Sequence, residues 1–329
     1  MKKKLGIAVG VLSLCGMGLG QASAAANFPV QPINIVVPSS PGGAIDMVAR
    51  LVAKQVGQKH GVNMVVSNKP GATGIVGSDY VAKSAPDGHT ILLASSAHSI
   101  NPSMTKLPYD TLTAFAPVVL THSVPLMLVV TDSLPVNNVQ ELISYARQNP
   151  GTLSFASSGL GGAPHLSGEL FKHSLGLDIL HVPYRGSTLA HADLVSGRTH
   201  LMFDTLAALR APLDGKRLKP LAVTTKERAA SDPDIPTMQE AGVAGYETET
   251  WGGILAPAGT PPDVVEKLNA WINEALQEPE VRDQLTRTGI VVRGGASADF
   301  DTFIRDEMVK WGKVASDAGI EPKAMESGS

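Results

Sequence analysis

The sequence predicts an α/β protein of two domains, each a mostly parallel sheet flanked by helices, joined by two crossover strands that act as a hinge. Three observations predict this. Short β-branched runs alternate with amphipathic helical stretches in a β-α-β-α-β order. Two long extended runs, residues 115–131 and 248–257, break that alternation where a chain would leave and re-enter a first domain. A strand–glycine turn–helix device occurs twice, once in each half. The expected boundaries are residues 1–26 for a signal peptide, 27–124 with 247–329 for domain 1, and 125–246 for domain 2. Two crossings between two such halves imply a closing cleft.

Taken in order, residues 33–37 (INIVV) read as a buried parallel strand, ended by Pro38 and Pro41. Gly42 and Gly43 follow, and a glycine lets a backbone N–H approach a ligand that a Cβ would block. Ile45, Val48, Ala49, Val52 and Val56 then recur at helical spacing. The first N–H groups of a helix lack internal partners, and the helix dipole favours negative charge there. Ser39 and Ser40 place hydroxyls in the same turn. The turn reads as an anion site, or as an ordinary βα loop, which also needs Gly and Ser.

Residues 62–66 read as a second strand. Gly71, Gly74 and Gly77 precede or enter a helix over 75–84, stopped by Pro86-Asp87-Gly88. Residues 90–94 (TILLA) form a third strand running into Ser95, Ser96, Ala97 and His98. Ligands of open α/β sheets bind beyond such strand ends. The apolar run 115–131 contains Pro117 and Pro125 and reads as two strand pieces, the second entering a new domain. A helix over 139–148 follows, with Asn137 or Asn138 as N-cap. Residues 153–156 are a strand that ends in Ser157, Ser158, Gly159, Leu160, Gly161, Gly162, Ala163, Pro164 and His165, where a helix opens.

Strands are further expected at 179–183, 199–203 and 218–224, with a helix from Thr188 to Val195. Residues 248–257 read as the return crossing. Helices are expected at 262–277, 280–288 and 298–318. Phe300, Phe303, Ile304, Trp311, Val314 and Ala315 give the last one a core-facing stripe.

The N-terminus has the grammar of a secretory signal: Lys2, Lys3 and Lys4, an uncharged stretch over 5–20, then Ala22-Ser23-Ala24 and Ala24-Ala25-Ala26. It is short for a membrane span. Cys15 is the single cysteine, and Leu14 before it argues against lipidation. The mature chain would carry no thiol, disulfide or Cys-ligated metal. Losing three lysines leaves 24 Lys and Arg against 30 Asp and Glu, a net charge of −6. An acidic chain with 5% aromatic residues is a poor nucleic-acid binder. An anion would have to be held by local geometry.

No Gly-x-Ser-x-Gly elbow, His-Glu-x-x-His or Gly-x-x-x-x-Gly-Lys-Ser/Thr motif is present. Gly159-x-Gly161-x-x-Pro164 misses the dinucleotide fingerprint at its last position. No His/Asp spacing favours a metal, and no cofactor is expected. A scattered triad using Ser96 or Ser158 with His98 or His165 remains the enzymatic alternative, that of an exported serine hydrolase. The other reading of each histidine is a hydrogen-bonding residue near a loop. Asp46 reads as a helix cap or first-turn charge. Asp204 reads as facing the cleft, to accept from a ligand or hold a loop. Tyr184 supplies an aromatic wall, a hydroxyl or core packing, and Arg185 a carboxylate partner or a surface charge.

The stretches IVVPSSPGGAIDMVAR, NKPGATGIVGSDYVAKSAPDGHTILLAS, LPYDTLTAFAPV, FASSGLGGAPHLSGELF, HVPYRGSTLAHADLVSGRTHLMFD and WGGILAPAGTP together resemble the Bug family of periplasmic solute-binding proteins. These are the receptors of tripartite tricarboxylate transporters. The resemblance spans the mature chain. It implies a type II, Venus flytrap binding protein in the periplasm, expected to be a monomer. Its partners would be a small carboxylate ligand and transporter membrane subunits, with transport, or ligand sensing without transport, as its role. By motif, backbone amides around Ser39, Ser40, Gly42 and Gly43 in one lobe and Ser157, Ser158, Gly159 and Gly161 in the other would hold the carboxylates. Asp46, Ser96, His98, His165, Tyr184 and Asp204 would shape the pocket. Arg185 stands where the family more often has Lys. Ala44 and Ile45 leave apolar space that favours a dicarboxylate or aromatic acid over a heavily hydroxylated one.

Overall fold

The computed structural model describes residues 28–324; the expected signal peptide lies outside them. The chain runs β1 (Ile33–Val37), α1 (Ala44–His60), β2 (Met64–Asn68), α2 (Ile75–Ala82), β3 (Thr90–Ser95), α3 (Ala97–Met104) and β4 (Phe115–Thr131). It continues α4 (Val139–Gln148), β5 (Leu153–Ser157), α5 (Ala163–Leu175), β6 (Ile179–Pro183), α6 (Ser187–Val195), β7 (Leu201–Thr205), α7 (Leu206–Asp214) and β8 (Leu218–Val223). It ends β9 (Glu249–Pro257), α8 (Pro262–Gln277), α9 (Pro279–Arg287), β10 (Val291–Val292) and α10 (Ser297–Asp317).

The strands follow the order β2-β1-β3-β9-β4-β7-β5-β6, with β8 and β10 also pairing β4. β1 pairs β2 and β3 in parallel, and β5 pairs β6 and β7 in parallel. The carboxyl ends of β1 and β3 in one lobe, and of β5, β6 and β7 in the other, therefore carry the loops from which helices open. Those are the ligand-bearing edges of open α/β sheets.

The 115–131 segment differs from the two strand pieces expected. It is one strand of 17 residues. Its first part pairs β9 and its last part pairs β7 and β8, so one strand belongs to both lobes. Pro117 sits at a register shift between Pro117 and Val119, a second shift falls between Leu120 and His122, and Pro125 keeps its place opposite Glu249. The return crossing meets it in a hydroxyl knot. Thr224 Oγ1 accepts from the Leu126 N–H at 3.2 Å and donates to the Thr248 carbonyl at 2.6 Å. Ser167 Oγ of α5 donates to Thr248 Oγ1 at 2.9 Å.

Each lobe buries apolar side chains on both faces of its sheet. In the first, α1 and α8 pack Val48, Val52, Leu268 and Ile272 against Ile33, Ile35 and Ile91, while Val36, Leu92, Phe300 and Ile304 fill the other face. In the second, Leu142, Phe155, Phe171 and Phe203 lie on one face and Met127, Val129, Met202 and Leu209 on the other. A smaller cluster joins the lobes: Ile100, Leu126, Ala163, Leu166, Trp311 and Val314. α10 thus braces α3 and α5 together. The buried Glu307 Oε2 accepts from Trp311 Nε1 at 2.8 Å and from Trp251 Nε1 of β9 at 3.1 Å, tying the brace to a crossing strand. No described helix is long and apolar enough to cross a membrane.

Candidate ligand-binding site

The two glycine turns are built alike. Gly42 (φ +92°) and Gly161 (φ +74°) lie in the left-handed region, where a side chain is strained. Each is followed by an extended N-cap glycine, Gly43 at φ −81°, ψ 173° and Gly162 at φ −84°, ψ 162°. Each donates its N–H to the side chain four residues on, the third residue of the new helix. Gly42 N–H reaches Asp46 Oδ2 at 3.0 Å, and Gly161 N–H reaches His165 Nδ1 at 3.1 Å. Neither N-cap glycine uses a side-chain cap, so the helix starts are held from within. The next N–H groups, those of Gly43, Ala44 and Ile45 and of Gly162 and Ala163, have no acceptor inside their helices. With Ser39, Ser40 and Ser158, whose hydroxyls make no hydrogen bond among the described residues, they are the donors a ligand would meet. Gly42, Gly43 and Ala44 are exposed.

The first turn is locked by charge. Asp46 is buried and takes Arg50 Nε and Nη2 at 2.9 and 3.0 Å and Asn68 Nδ2 at 2.9 Å, and Asn68 Nδ2 also reaches the Ser39 carbonyl at 3.1 Å. The Arg50 guanidinium, helped by Gly42 and Asn68, lowers the Asp46 carboxyl to about 2 against the cost of burial. Asp46 is thereby an ionised brace of the turn. The second turn is locked by neutral groups. Ser157 Oγ donates to the Gly159 carbonyl at 2.9 Å and contacts His181 Nε2 at 2.7 Å. The His165 and His181 rings stack with centroids 4.0 Å apart.

The remaining candidates are committed to the lobes. Ser96 is the N-cap of α3, and its carbonyl accepts from the Ser99 N–H and hydroxyl. His98 is buried between Tyr109 and Phe115, with centroids at 6.5 and 5.0 Å. Its ring nitrogens make no full hydrogen bond, the Thr111 backbone being a polar neighbour, and burial lowers its pKa to about 4. Tyr184 donates to Asp193 Oδ2 at 2.8 Å, and its pKa is pushed up to about 12, by burial first and then by Asp193. Asp204, at the end of β7, accepts from the Thr205 N–H at 2.8 Å and pairs with His191 Nε2 at 3.0 Å. Arg50, Asn68, His181, His191 and Asp193 did not stand out in the sequence. Arg50 alone carried a local signal, four residues after Asp46 on one helix.

Two constellations invite a chemical reading and their proton directions answer it. Ser157 and His181 have the spacing of a nucleophile and its base. However, Ser157 is fully buried and its hydroxyl proton points at Gly159, so His181 Nε2 is the donor. His165, Glu169 and His181 bring three potential metal-ligating atoms within 4.8 Å of one another. Gly161, though, uses the Nδ1 lone pair of His165, which puts that ring's proton on Nε2, facing Glu169; a metal on Nε2 would break the turn's own hydrogen bond. The hydrogen bonds join neither Ser96 to His98 nor Ser158 to His165.

An interlobe pocket of about 350 Å³ lies elsewhere along the groove. Leu206 and residues 225–231 line it from one lobe, Gly289, Ile290, Val291 and Arg293 from the other, and Ser123, Pro125 and Glu249 from the crossings. Neither glycine turn lines it: Gly42 and Gly43 face open solvent, whereas Gly161 and Ala163 of the second turn are buried and Gly162 is half-buried.

Comparison with known proteins places this architecture. Residues 48–320 match the family model described as tripartite tricarboxylate transporter family receptor. Protein BugT of Bordetella pertussis is 34% identical over 309 residues, covering 93% of this chain and 95% of that protein. The R. palustris protein Rpa4515, solved with adipate, superposes with a TM-score of 0.76 at 39% identity, covering 90% of this chain and 99% of that one. MatC (Rpa3494) from Rhodopseudomonas palustris, solved with bound malate, gives a TM-score of 0.72 at 32% identity over 87% of this chain and 99% of that one. The chain belongs to the tripartite tricarboxylate transporter receptor family and is a solute-binding protein of the Bug type.

Proposed function

We propose that this protein is an exported, periplasmic receptor that captures a small carboxylate between its lobes and delivers it to transporter membrane subunits. The observation that carries the reading is the twofold turn: two helix N-termini, each opened by a paired glycine, each with unpartnered N–H groups, one per lobe. A ligand with a carboxylate at each end would take donors from both. Charge-assisted hydrogen bonds contribute roughly 1.5–3 kcal/mol each, so three or four support micromolar affinity after association costs. Touching both lobes favours closure, because a ligand shifts an equilibrium only by its differential affinity for the two states. Ser39, Ser40, Gly43, Ser158, Gly159 and the first helical residues of α1 and α5 form the contact set in this reading, with the buried Ser157 holding the Gly159 carbonyl. Asp46 and His165 hold the turns through Gly42 and Gly161, and Ser96, His98, Tyr184 and Asp204 build the walls. The lobes comprise residues 27–124 with 247–329, and 125–246.

Adipate and malate, the ligands of two solved relatives, head the test panel. The mature chain is unfolded and refolded to strip carried-over ligand, then screened by thermal shift against mono-, di- and tricarboxylates, aromatic acids and amino acids. A specific binder at 100 times its Kd adds about 2.7 kcal/mol of stability. Stabilisation confined to one carboxylate class is the expected result. A flat screen of a folded protein, or ester turnover lost with Ser158→Ala, would overturn the reading.

A further inference from the structure

The second glycine turn is controlled by a proton placement that three side chains share. Gly161 N–H donates to His165 Nδ1 at 3.1 Å, so Nδ1 must offer a lone pair and the neutral ring carries its proton on Nε2. Nε2 faces Glu169 Oε1 at 3.8 Å, too long for a hydrogen bond but close for a charge. Glu169 is buried to 5% exposure. Its other oxygen meets Lys172 Nζ at 3.3 Å and His173 Nε2 at 3.2 Å. A buried carboxylate at this place favours an N–H directed toward it and disfavours the opposite tautomer, which would aim a lone pair at the anion. It also favours a second proton on the ring, which would destroy the Nδ1 acceptor. Burial and the nearby Lys172 charge oppose that second proton. His181, stacked on His165, donates Nε2–H to Ser157 Oγ, which in turn holds the Gly159 carbonyl.

We propose that Glu169 is a positioning residue for the second glycine turn, acting through the Nε2–H tautomer of His165 to keep the Gly161 N–H engaged. The role rests on the reading of that turn as a ligand-binding element. It extends the reading by making ligand affinity depend on a side chain that touches no ligand.

The test needs no ligand at its first stage. Side-chain ¹⁵N spectra of the mature chain at pH 7.5 should show His165 protonated at Nε2 with Nδ1 as the acceptor. Glu169→Leu, which fills the site with an apolar helix former, should mix the two tautomers and speed exchange of the Gly161 amide about tenfold or more, the loss of roughly 1.4 kcal/mol. Glu169→Gln keeps an acceptor oxygen and should fall between, and it carries the test if the leucine variant does not fold. Lys313→Gln, at an exposed position of α10 away from the turn, should leave both readouts at wild-type values. At the second stage, adipate and malate should bind Glu169→Leu about tenfold more weakly. Wild-type tautomer and Gly161 exchange in both Glu169 variants would overturn the proposal. A tautomer that shifts in a protein binding no carboxylate would sink the receptor reading and leave the positioning role standing.

Discussion

Acidification from pH 6.5 toward 4 will destabilise the folded chain steeply. Burial lowers His98 and His122 to about 4, and burial with neighbouring positive charge lowers His181 to about 3. Unfolded, each ring takes a proton near 6.5. Between those values the unfolded state binds more protons than the folded one, so stability falls as pH falls. Above 6.5 the effect is absent, and below the folded values it levels off. Each histidine contributes up to about 1.4 kcal/mol per pH unit in that window. Glu249 works in the opposite sense. Burial raises its carboxyl despite Arg293, so it opposes part of the acid loss. Asp46, lowered to about 2, adds a further loss only as pH drops below the unfolded carboxyl value. Urea denaturation at pH 7.5, 6.0 and 5.0 measures the slope. His98→Phe, an aromatic placed between Tyr109 and Phe115, should make that slope shallower. A midpoint unchanged from 7.5 to 5.0 would show that these rings are not held neutral.

Gly253→Ala will be among the most destabilising single-methyl changes in the protein. Gly253 sits mid-strand in β9, paired with Ala94 on one side and Leu120 on the other, so its backbone has no room to retreat. A Cβ there would lie 2.2 Å from Phe300 Cζ and 2.7 and 2.8 Å from two further ring carbons. Phe300 is itself 1% exposed, on the α10 brace. Relief requires moving the ring or the helix, a cost of about 1–3 kcal/mol or more. Gly252 lies against His122 in the same way: a Cβ added there would lie 2.2 Å from His122 Cε1. The crossing strand is therefore gripped by ring packing on successive residues. Chemical denaturation of Gly253→Ala, with and without Phe300→Leu, checks this. The double variant should recover part of the loss, and a single variant as stable as the parent would remove the contact from the account.

Much of the fold was legible because it was local. α4, α8 and β6 fall where capping residues, apolar period and Pro or Gly stops place them. What escaped was set at a distance or hidden by proline. α3 and α7 were not anticipated, and both carry an internal proline, Pro102 and Pro212, that reads as a helix stop. β2 starts and ends two residues later than expected because its pairing with β1, Ile33 to Met64 through Val37 to Asn68, decides its limits. β10 is two residues that exist as a strand only against His122 and Ser123. The same division holds at the site. The two glycine turns are written in consecutive residues, and so are their acceptors Asp46 and His165. Asn68, His181 and Asp193 act across 22, 24 and 9 positions of sequence on Asp46, Ser157 and Tyr184, and no local pattern announces them.

If unpartnered N–H groups at the helix starts hold a carboxylate, removing one of them weakens binding, and Ala44→Pro does so with the least disturbance of the fold. Ala44 is the first residue of α1, a position where proline is well accommodated, and Gly43 before it is already extended. The substitution removes one N–H and little else. Calorimetric titration of the best dicarboxylate from the panel into both proteins should show the variant binding about 10- to 150-fold more weakly, the loss of one charge-assisted hydrogen bond of roughly 1.5–3 kcal/mol, with an unchanged Tm in the absence of ligand. Equal affinity in a stably folded Ala44→Pro protein would place the carboxylate away from this helix start.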